Sequence, residues 1–146
     1  MSEIPDGCEL SKMDATSTEI KSILKMAKTI AVVGLSPKED RPSHRIAKYL
    51  LGQGYRVIGV NPGQSEILGE KVYKSVADIP ESVDIVDIFL RPESISLVVE
   101  ESITKKAKVI WMQEGIVNNQ AADRAKAAGL QVVMNKCIAK EHAAAF

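Results

Sequence analysis

The fold is decided by a short stretch that reads TIAVVGLSPKEDRPS over residues 29–43. Four of its first five residues are apolar, and Gly34 then ends the run. A helical pattern follows over residues 42–53, with a proline at its start and glycines at 52 and 54 near its end. An apolar strand that leads directly into a helix is typical of a parallel sheet covered by helices on both faces.

The same alternation of strand and helix repeats along the chain. A first helix is predicted over residues 16–28, opened by capping residues at 16–19. Further strands are predicted over 56–60, 71–73, 83–90, 108–112 and 130–134, and further helices over 92–107 and 119–128. Right-handed crossovers then give an α/β fold with a doubly wound, mostly parallel sheet of five to six strands.

The expected strand order is 3-2-1-4-5, the simplest for such a sheet. The third strand is either residues 71–73 or residues 83–90. The first choice is preferred, because residues 66–74 are typical of a short edge element, and residues 83–90 are then the strand that crosses to the other side of the first one. Residues 1–15 are predicted to form a flexible arm, and residues 16–146 a single domain, since domains cluster at about 100–150 residues.

Composition excludes several classes of function. The 146 residues carry a formal net charge of +0. A nucleic-acid binder usually has a basic net charge, so this balance argues against that class. No apolar run approaches the length of a membrane span, and the first ten residues do not resemble a signal peptide. The two cysteines, Cys8 and Cys137, have no metal-ligand spacing. We therefore expect a cytoplasmic protein without a membrane segment or a metal site.

Two strand ends, at residues 32–37 and 111–116, are expected to face one ligand, because open parallel sheets bind ligands at the carboxyl ends of their strands. The first turn suits an anion: Ser36 and Ser43 offer hydroxyls, Arg41 can pair with phosphate, and a helix begins there. The alternatives are that Gly34 only permits a tight turn and that the nearby basic residues only form a solvated helix start.

A dinucleotide fits this turn poorly. The turn lacks the GxGxxG pattern, and the second strand ends at Asn61 where a dinucleotide site has an acid for the ribose. A Rossmann-type NAD(P)-binding oxidoreductase or redox protein therefore stays the alternative hypothesis.

Six short motifs carry a resemblance to a known family. They are GLS at 34–36, DRPS at 40–43, VNP at 60–62, VDIF at 86–89, WMQ at 111–113 with Gly115, and VMNKC at 133–137. In this order, over about residues 20–142, the chain resembles the stand-alone CoA-binding protein family. That family is similar to the N-terminal CoA-binding domain of the succinyl-CoA synthetase α subunit. The resemblance implies a Rossmann-like fold that binds coenzyme A or an acyl-CoA.

The resemblance also implies which residues form the site. The first turn would lie near the CoA phosphates, through Gly34, Leu35, Ser36, Arg41 and Ser43. Val60, Asn61 and Pro62 would border the adenosine, and Gln113, Glu114 and Gly115 correspond to a Thr-Glu-Gly turn of the synthetase that contacts CoA. The synthetase's glycine-rich first turn is replaced here by residues 37–40, and a lysine that touches CoA falls on Gln64. We therefore expect phosphate contacts at Lys38 and Arg41.

Three further residues have open interpretations. Arg91 is either a phosphate partner or a solvated charge at a strand end, and Trp111 either packs in the core or stacks on the ligand. Cys137 follows the last strand next to Lys136, which can lower the pKa of its thiol. It is either a small buried hydrophobic residue or the site of a mixed disulfide with CoA.

No catalytic arrangement is visible in these 146 residues. There is no Gly-x-Ser-x-Gly elbow, no paired His–carboxylate spacing, and no counterpart of the synthetase's phosphorylated-histidine domain. The sequence therefore predicts a non-catalytic carrier, sensor or regulator that binds CoA, with any protein partner unknown. A fragment that needs a ligase partner subunit is a further alternative.

Overall fold

The computed structural model describes residues 15–146, and all strands in that range join one sheet. In chain order the strands are β1 (Thr29–Val33), β2 (Arg56–Val60), β3 (Glu66–Ile67), β4 (Glu70–Tyr73), β5 (Ile85–Ile88), β6 (Val109–Met112) and β7 (Gln131–Val133). Their order across the sheet is β3-β4-β2-β1-β5-β6-β7. Neighbours pair in parallel, except that β3 is antiparallel to β4.

Helices cover both faces of this sheet. The five α-helices are α1 (Ser17–Met26), α2 (Pro42–Gly52), α3 (Ile95–Thr104), α4 (Asn119–Ala127) and α5 (Ile138–Ala145). Apolar side chains of α1, α2 and α5 pack with one set of strand residues, and those of α3 and α4 with the alternate set. The central strands are buried on both faces, which is why they appear in the sequence as continuous apolar runs.

Local signals place the first helix. Thr16 Oγ1 accepts a hydrogen bond from Glu19 N at 3.1 Å, and Thr16 N donates to Glu19 Oε1 at 2.9 Å. This reciprocal capping box satisfies two backbone donors that the first turn of α1 would otherwise leave unpaired. The capping residues predicted at 16–19 are thus confirmed.

The doubly wound α/β fold is confirmed, as are the edge position of the element over residues 66–74, which contains β3 and β4, and the crossing of residues 83–90 to the far side of β1. The sheet has seven strands where five to six were expected, because β3 folds back on β4 through Leu68 and Gly69, whose φ angles are 56° and 74°. Helix α5 was not predicted. The helix expected over 92–107 starts as a 3-10 turn at Pro92–Ser94 before α3.

The predicted arm at residues 1–15 lies outside the described residues except for its last member, and so does Cys8. Between residues 15 and 146, no helix combines the length and the apolar character that a membrane crossing needs.

Candidate functional site

Strand order reverses at β1, and this is where an open parallel sheet has its crevice. The chain leaves β1 through α2 toward β2, whereas β5 pairs with the opposite edge of β1. Gly34 N donates to Val60 O at 2.9 Å, and Phe89 N donates to Val33 O at 2.8 Å, so three strand ends meet here.

Gly34 is required at this meeting point for two reasons. Its φ is 87°, a left-handed conformation that other L-residues rarely adopt. A Cβ built on Gly34 would also lie 2.5 Å from the carbonyl oxygen of Phe89. The glycine therefore permits the close approach of β1 and β5 as well as the turn that leaves β1.

The first turn is folded by its own hydroxyl groups. Ser36 N donates to Ser43 Oγ at 3.0 Å, and Lys38 N donates to Ser36 Oγ at 3.1 Å. His44 Nδ1 lies 2.9 Å from Ser36 O. Both serine oxygens thus shape the loop, and each hydroxyl still has an O–H that can donate to a ligand.

This turn borders an open pocket of about 360 Å³. Its lining residues are Gly34, Ser36, Lys38, Arg41, Pro42, Ser43 and Phe89. Lys38 and Arg41 are exposed, Arg41 makes no capping hydrogen bond with its side chain, and the first turn of α2 contains no acid. The pocket therefore combines two cations with the positive end of a helix dipole, which suits a phosphate.

The end of β2 supports this pocket from the side. Asn61 Nδ2 donates to Leu35 O at 2.8 Å, and Asn61 Oδ1 accepts from Gly63 N at 2.8 Å. Leu35 and Val60 are 2% and 5% exposed, so their side chains belong to the core. Among the residues predicted to border an adenosine, Pro62 is the exposed one.

The second strand end forms the turn at residues 113–116. Gln113 is 3% exposed, and its Nε2 donates to Asp87 Oδ1 at 2.5 Å. Ile116 N donates to Gln113 O at 2.9 Å, and Gly115 N donates to Asn135 Oδ1 at 2.7 Å. The side chain of Gln113 therefore points into the protein, and the exposed part of this turn is formed by Glu114 and Gly115.

Charged and aromatic neighbours of that turn have defined partners. Glu114 is exposed and its carboxylate lies 3.0 Å from Lys140 Nζ. Trp111 is fully buried, and its Nε1 donates to Lys136 O at 2.8 Å, which confirms the core interpretation of this residue.

Asp87 is the functional candidate that sequence reasoning missed. It is fully buried in the middle of β5, and burial raises the pKa of its carboxyl to about 8, against the opposing effect of the hydrogen bond from Gln113. Within residues 15–146, its Oδ2 has no hydrogen-bond partner. The available signal was an acid inside an otherwise apolar strand. Phe89, two residues further on, was also missed as a pocket residue.

The remaining predicted residues lie around these two strand ends. Cys137 is partly exposed with a free thiol and directly precedes α5. The chain before it returns over β6, because Lys136 N donates to Met112 O at 3.3 Å, so Cys137 lies nearer the 113–116 turn than the first turn. Arg91 is exposed just after β5. The part of the chain from residue 15 onward has no group of three or more potential metal ligands.

Comparison with known proteins agrees with this geometry. YneT, an uncharacterized protein of Bacillus subtilis, is 43% identical over 128 residues, which span 88% of this chain and 95% of YneT. A hypothetical protein from Pyrococcus horikoshii has the same fold with a TM-score of 0.87 and 41% identity, covering 99% of this chain and 96% of its own.

A larger enzyme shares part of the sequence. An ADP-forming acetate–CoA ligase of Archaeoglobus fulgidus is 40% identical over 74 residues, which are 51% of this chain but 11% of the ligase. Residues 28–143 match a family model described as a CoA binding domain. The chain therefore belongs to this CoA-binding domain family.

Proposed function

We propose that this protein binds coenzyme A or an acyl-CoA without catalysing a reaction on it, as a carrier, sensor or regulator. The observation that carries the proposal is the cationic pocket at the β1–β5 strand ends, in a chain of the CoA-binding domain family. CoA has a 3′-phosphate and a pyrophosphate. These anionic groups would interact favourably with the side chains of Lys38 and Arg41 and with the N-terminus of α2.

The two strand ends are close enough for one CoA molecule. Strands β1 and β6 are separated only by β5, so their ends are about 10 Å apart at the usual strand spacing. An extended pantetheine arm can cross this distance from the phosphate pocket to the 113–116 turn. The pocket volume also falls in the range of about 300–1,000 Å³ that is usual for small-molecule sites.

Two observations disfavour the dinucleotide alternative and an enzymatic role. The side chain of Asn61 is hydrogen-bonded to the backbone of Leu35 and Gly63. Because this residue is an amide, the end of β2 presents no carboxylate for a ribose. Within the described part of the chain, the side chains that line the pocket include no carboxylate, thiol or imidazole. The phosphate end of the site thus offers no nucleophile with an adjacent base, and at the 113–116 turn the Glu114 carboxylate is paired with Lys140 Nζ.

Calorimetric titration with CoA, acetyl-CoA, NAD and NADP tests the proposal. We expect CoA or acetyl-CoA to bind, and binding to raise the free energy of unfolding by about 2.7 kcal/mol at a concentration 100-fold above Kd. Lys38→Ala should weaken CoA binding, whereas Lys48→Ala should not, because Lys48 is also exposed, on α2, but does not line the pocket. Binding of NADP without CoA would overturn the proposal.

A further inference from the structure

Asp87 occupies an unusual place for an acid. Its neighbours in register on the two adjoining strands are Val32 and Trp111, and all three residues are 0% exposed. Val32 and Trp111 pack with α1, α2 and α5, and in-register residues of a parallel sheet share a face. The carboxyl group of Asp87 therefore lies on an apolar face, two residues before the pocket residue Phe89.

The hydrogen bonds of Asp87 fit a neutral carboxyl group. Oδ1 accepts from the uncharged amide of Gln113, and Oδ2 has no partner in residues 15–146. An ionised carboxylate accepts several hydrogen bonds and is costly to bury with only one. A protonated carboxyl avoids that cost, because it carries no charge and can still accept from Gln113 with Oδ1.

Among residues 15–146, no charged group forms a hydrogen bond or ion pair with Asp87 that would compensate for its ionisation. The elements packed on this face carry ten titratable side chains, and Asp87 forms a hydrogen bond or ion pair with none of them. His44 contacts Ser36 O, and His142 contacts the Tyr49 hydroxyl. The ten are Glu19, Lys21 and Lys25 on α1, His44, Arg45, Lys48 and Tyr49 on α2, and Lys140, Glu141 and His142 on α5.

Gln113 transmits the position of Asp87 to the turn at residues 113–116. Its backbone N lies 3.4 Å from Ile88 O, a long hydrogen bond, so its side chain is the stronger tie to β5. The far side of the turn is held separately by Asn135, which accepts from Gly115 N. Loss of the contact between Asp87 and Gln113 would therefore loosen the start of the turn while its far side stayed attached.

We infer that Asp87, as a neutral carboxylic acid, is a positioning residue that fixes Gln113 and thereby the ligand-binding turn at residues 113–116. This inference rests on the proposed function in one respect, namely that the turn contacts CoA. Its consequence is that CoA binding is linked to a proton. Ionisation of Asp87 at high pH requires water or a second donor, so the turn loosens and the affinity for CoA falls.

Two substitutions at Asp87 separate the neutral acid from the carboxylate. Asp87→Asn keeps an acceptor for Gln113 without an ionisable group, and we expect its affinity for CoA at pH 6 to stay within about twofold of the wild type. Asp87→Leu removes the acceptor and should weaken CoA binding about fivefold to tenfold, the usual value of one hydrogen bond. Gln113→Met should cost the same, and the double variant no more than either single one.

The pH dependence distinguishes positioning from mere stability. The ratio of the CoA dissociation constants of wild type and Asp87→Asn cancels the ionisations of CoA itself. We expect this ratio to rise between pH 6 and 9. A ratio that does not change, an Asp87→Asn affinity as low as that of Asp87→Leu, or full affinity in Asp87→Leu would each overturn the inference. If Asp87→Leu does not fold, the CoA dissociation constants of Gln113→Met and Asp87→Asn are compared instead, because the first variant loses the contact and the second keeps it.

A ligand-free measurement keeps this inference separate from the proposed function. Amide hydrogen exchange of Ile116, whose N–H donates to Gln113 O, should accelerate in Gln113→Met and stay near the wild-type rate in Asp87→Asn at pH 6. If the wild type binds no CoA, the proposed function fails. The hydrogen-exchange rates still test the positioning role of Asp87, because they are measured without ligand. Unchanged exchange in Gln113→Met would overturn the positioning role itself.

Discussion

The substitution Asp87→Asn should stabilise the protein at neutral pH, and the size of the effect follows from the buried carboxyl. The pKa of Asp87 is about 8 in the fold and about 3.8 ordinarily. At pH 7 the unfolded chain therefore carries an ionised Asp87, and folding must bind a proton. The pH then lies about three units above the ordinary pKa, and each unit corresponds to about 1.4 kcal/mol, so the cost is about 4 kcal/mol.

The sign of the pH dependence follows from the same difference. Because the folded pKa is raised, the unfavourable contribution of Asp87 is absent below about pH 3.8 and grows as the pH rises toward 8. Urea unfolding of wild type and Asp87→Asn at pH 5, 6 and 7 measures it. We expect the difference in the free energy of unfolding, Asp87→Asn minus wild type, to grow by about 1.4 kcal/mol per pH unit. The cost of burying the amide N–H₂ of the variant lowers this difference by the same amount at every pH.

A matched control is available in Asp84, which lies just before β5. Its carboxylate accepts from Lys28 N at 2.8 Å and from Thr29 N at 3.0 Å. Burial works to raise the pKa of Asp84, but these hydrogen bonds outweigh it and hold the pKa below its ordinary value. Asp84→Asn should therefore destabilise the protein at pH 7. Parallel pH profiles for wild type and Asp87→Asn would refute the reasoning that Asp87 is neutral in the fold.

Three further predictions concern the strand ends. Gly34→Ala should lower the free energy of unfolding by at least about 2 kcal/mol in urea titrations, because residue 34 has a left-handed φ and its Cβ would contact Phe89 O. Gly52→Ala is the control and should change the free energy of unfolding little, because the space around Gly52 is open. Arg41→Ala should weaken CoA more than dephospho-CoA in calorimetry if Arg41 binds the 3′-phosphate; equal losses would assign it to the pyrophosphate. If Cys137 reacts with CoA disulfide, its thiolate displaces one CoA thiolate, and intact mass should show one reducible CoA adduct that Cys137→Ser lacks.

Local signals in the sequence determined most of the fold. The bounds predicted for β1 and β2 agree with the structure, because a strand buried on both faces is a continuous apolar run that ends at turn residues. Strand β3 and helix α5 escaped prediction. Two residues paired across a tight hairpin have no periodicity of their own, and the alanine-rich α5 is placed by packing against α1 and α2.

The candidate site divides in the same way. The sequence by itself determined the first turn, because Gly34 and the polar residues after it lie within ten positions of one another and of the strand they end. Only the tertiary structure decided that Asn61 donates a hydrogen bond to Leu35 O, and that Gln113 points inward and donates one to Asp87. Each of these contacts joins residues 26 positions apart. Such partners meet only through strand order and register, which long-range packing sets and no local pattern encodes.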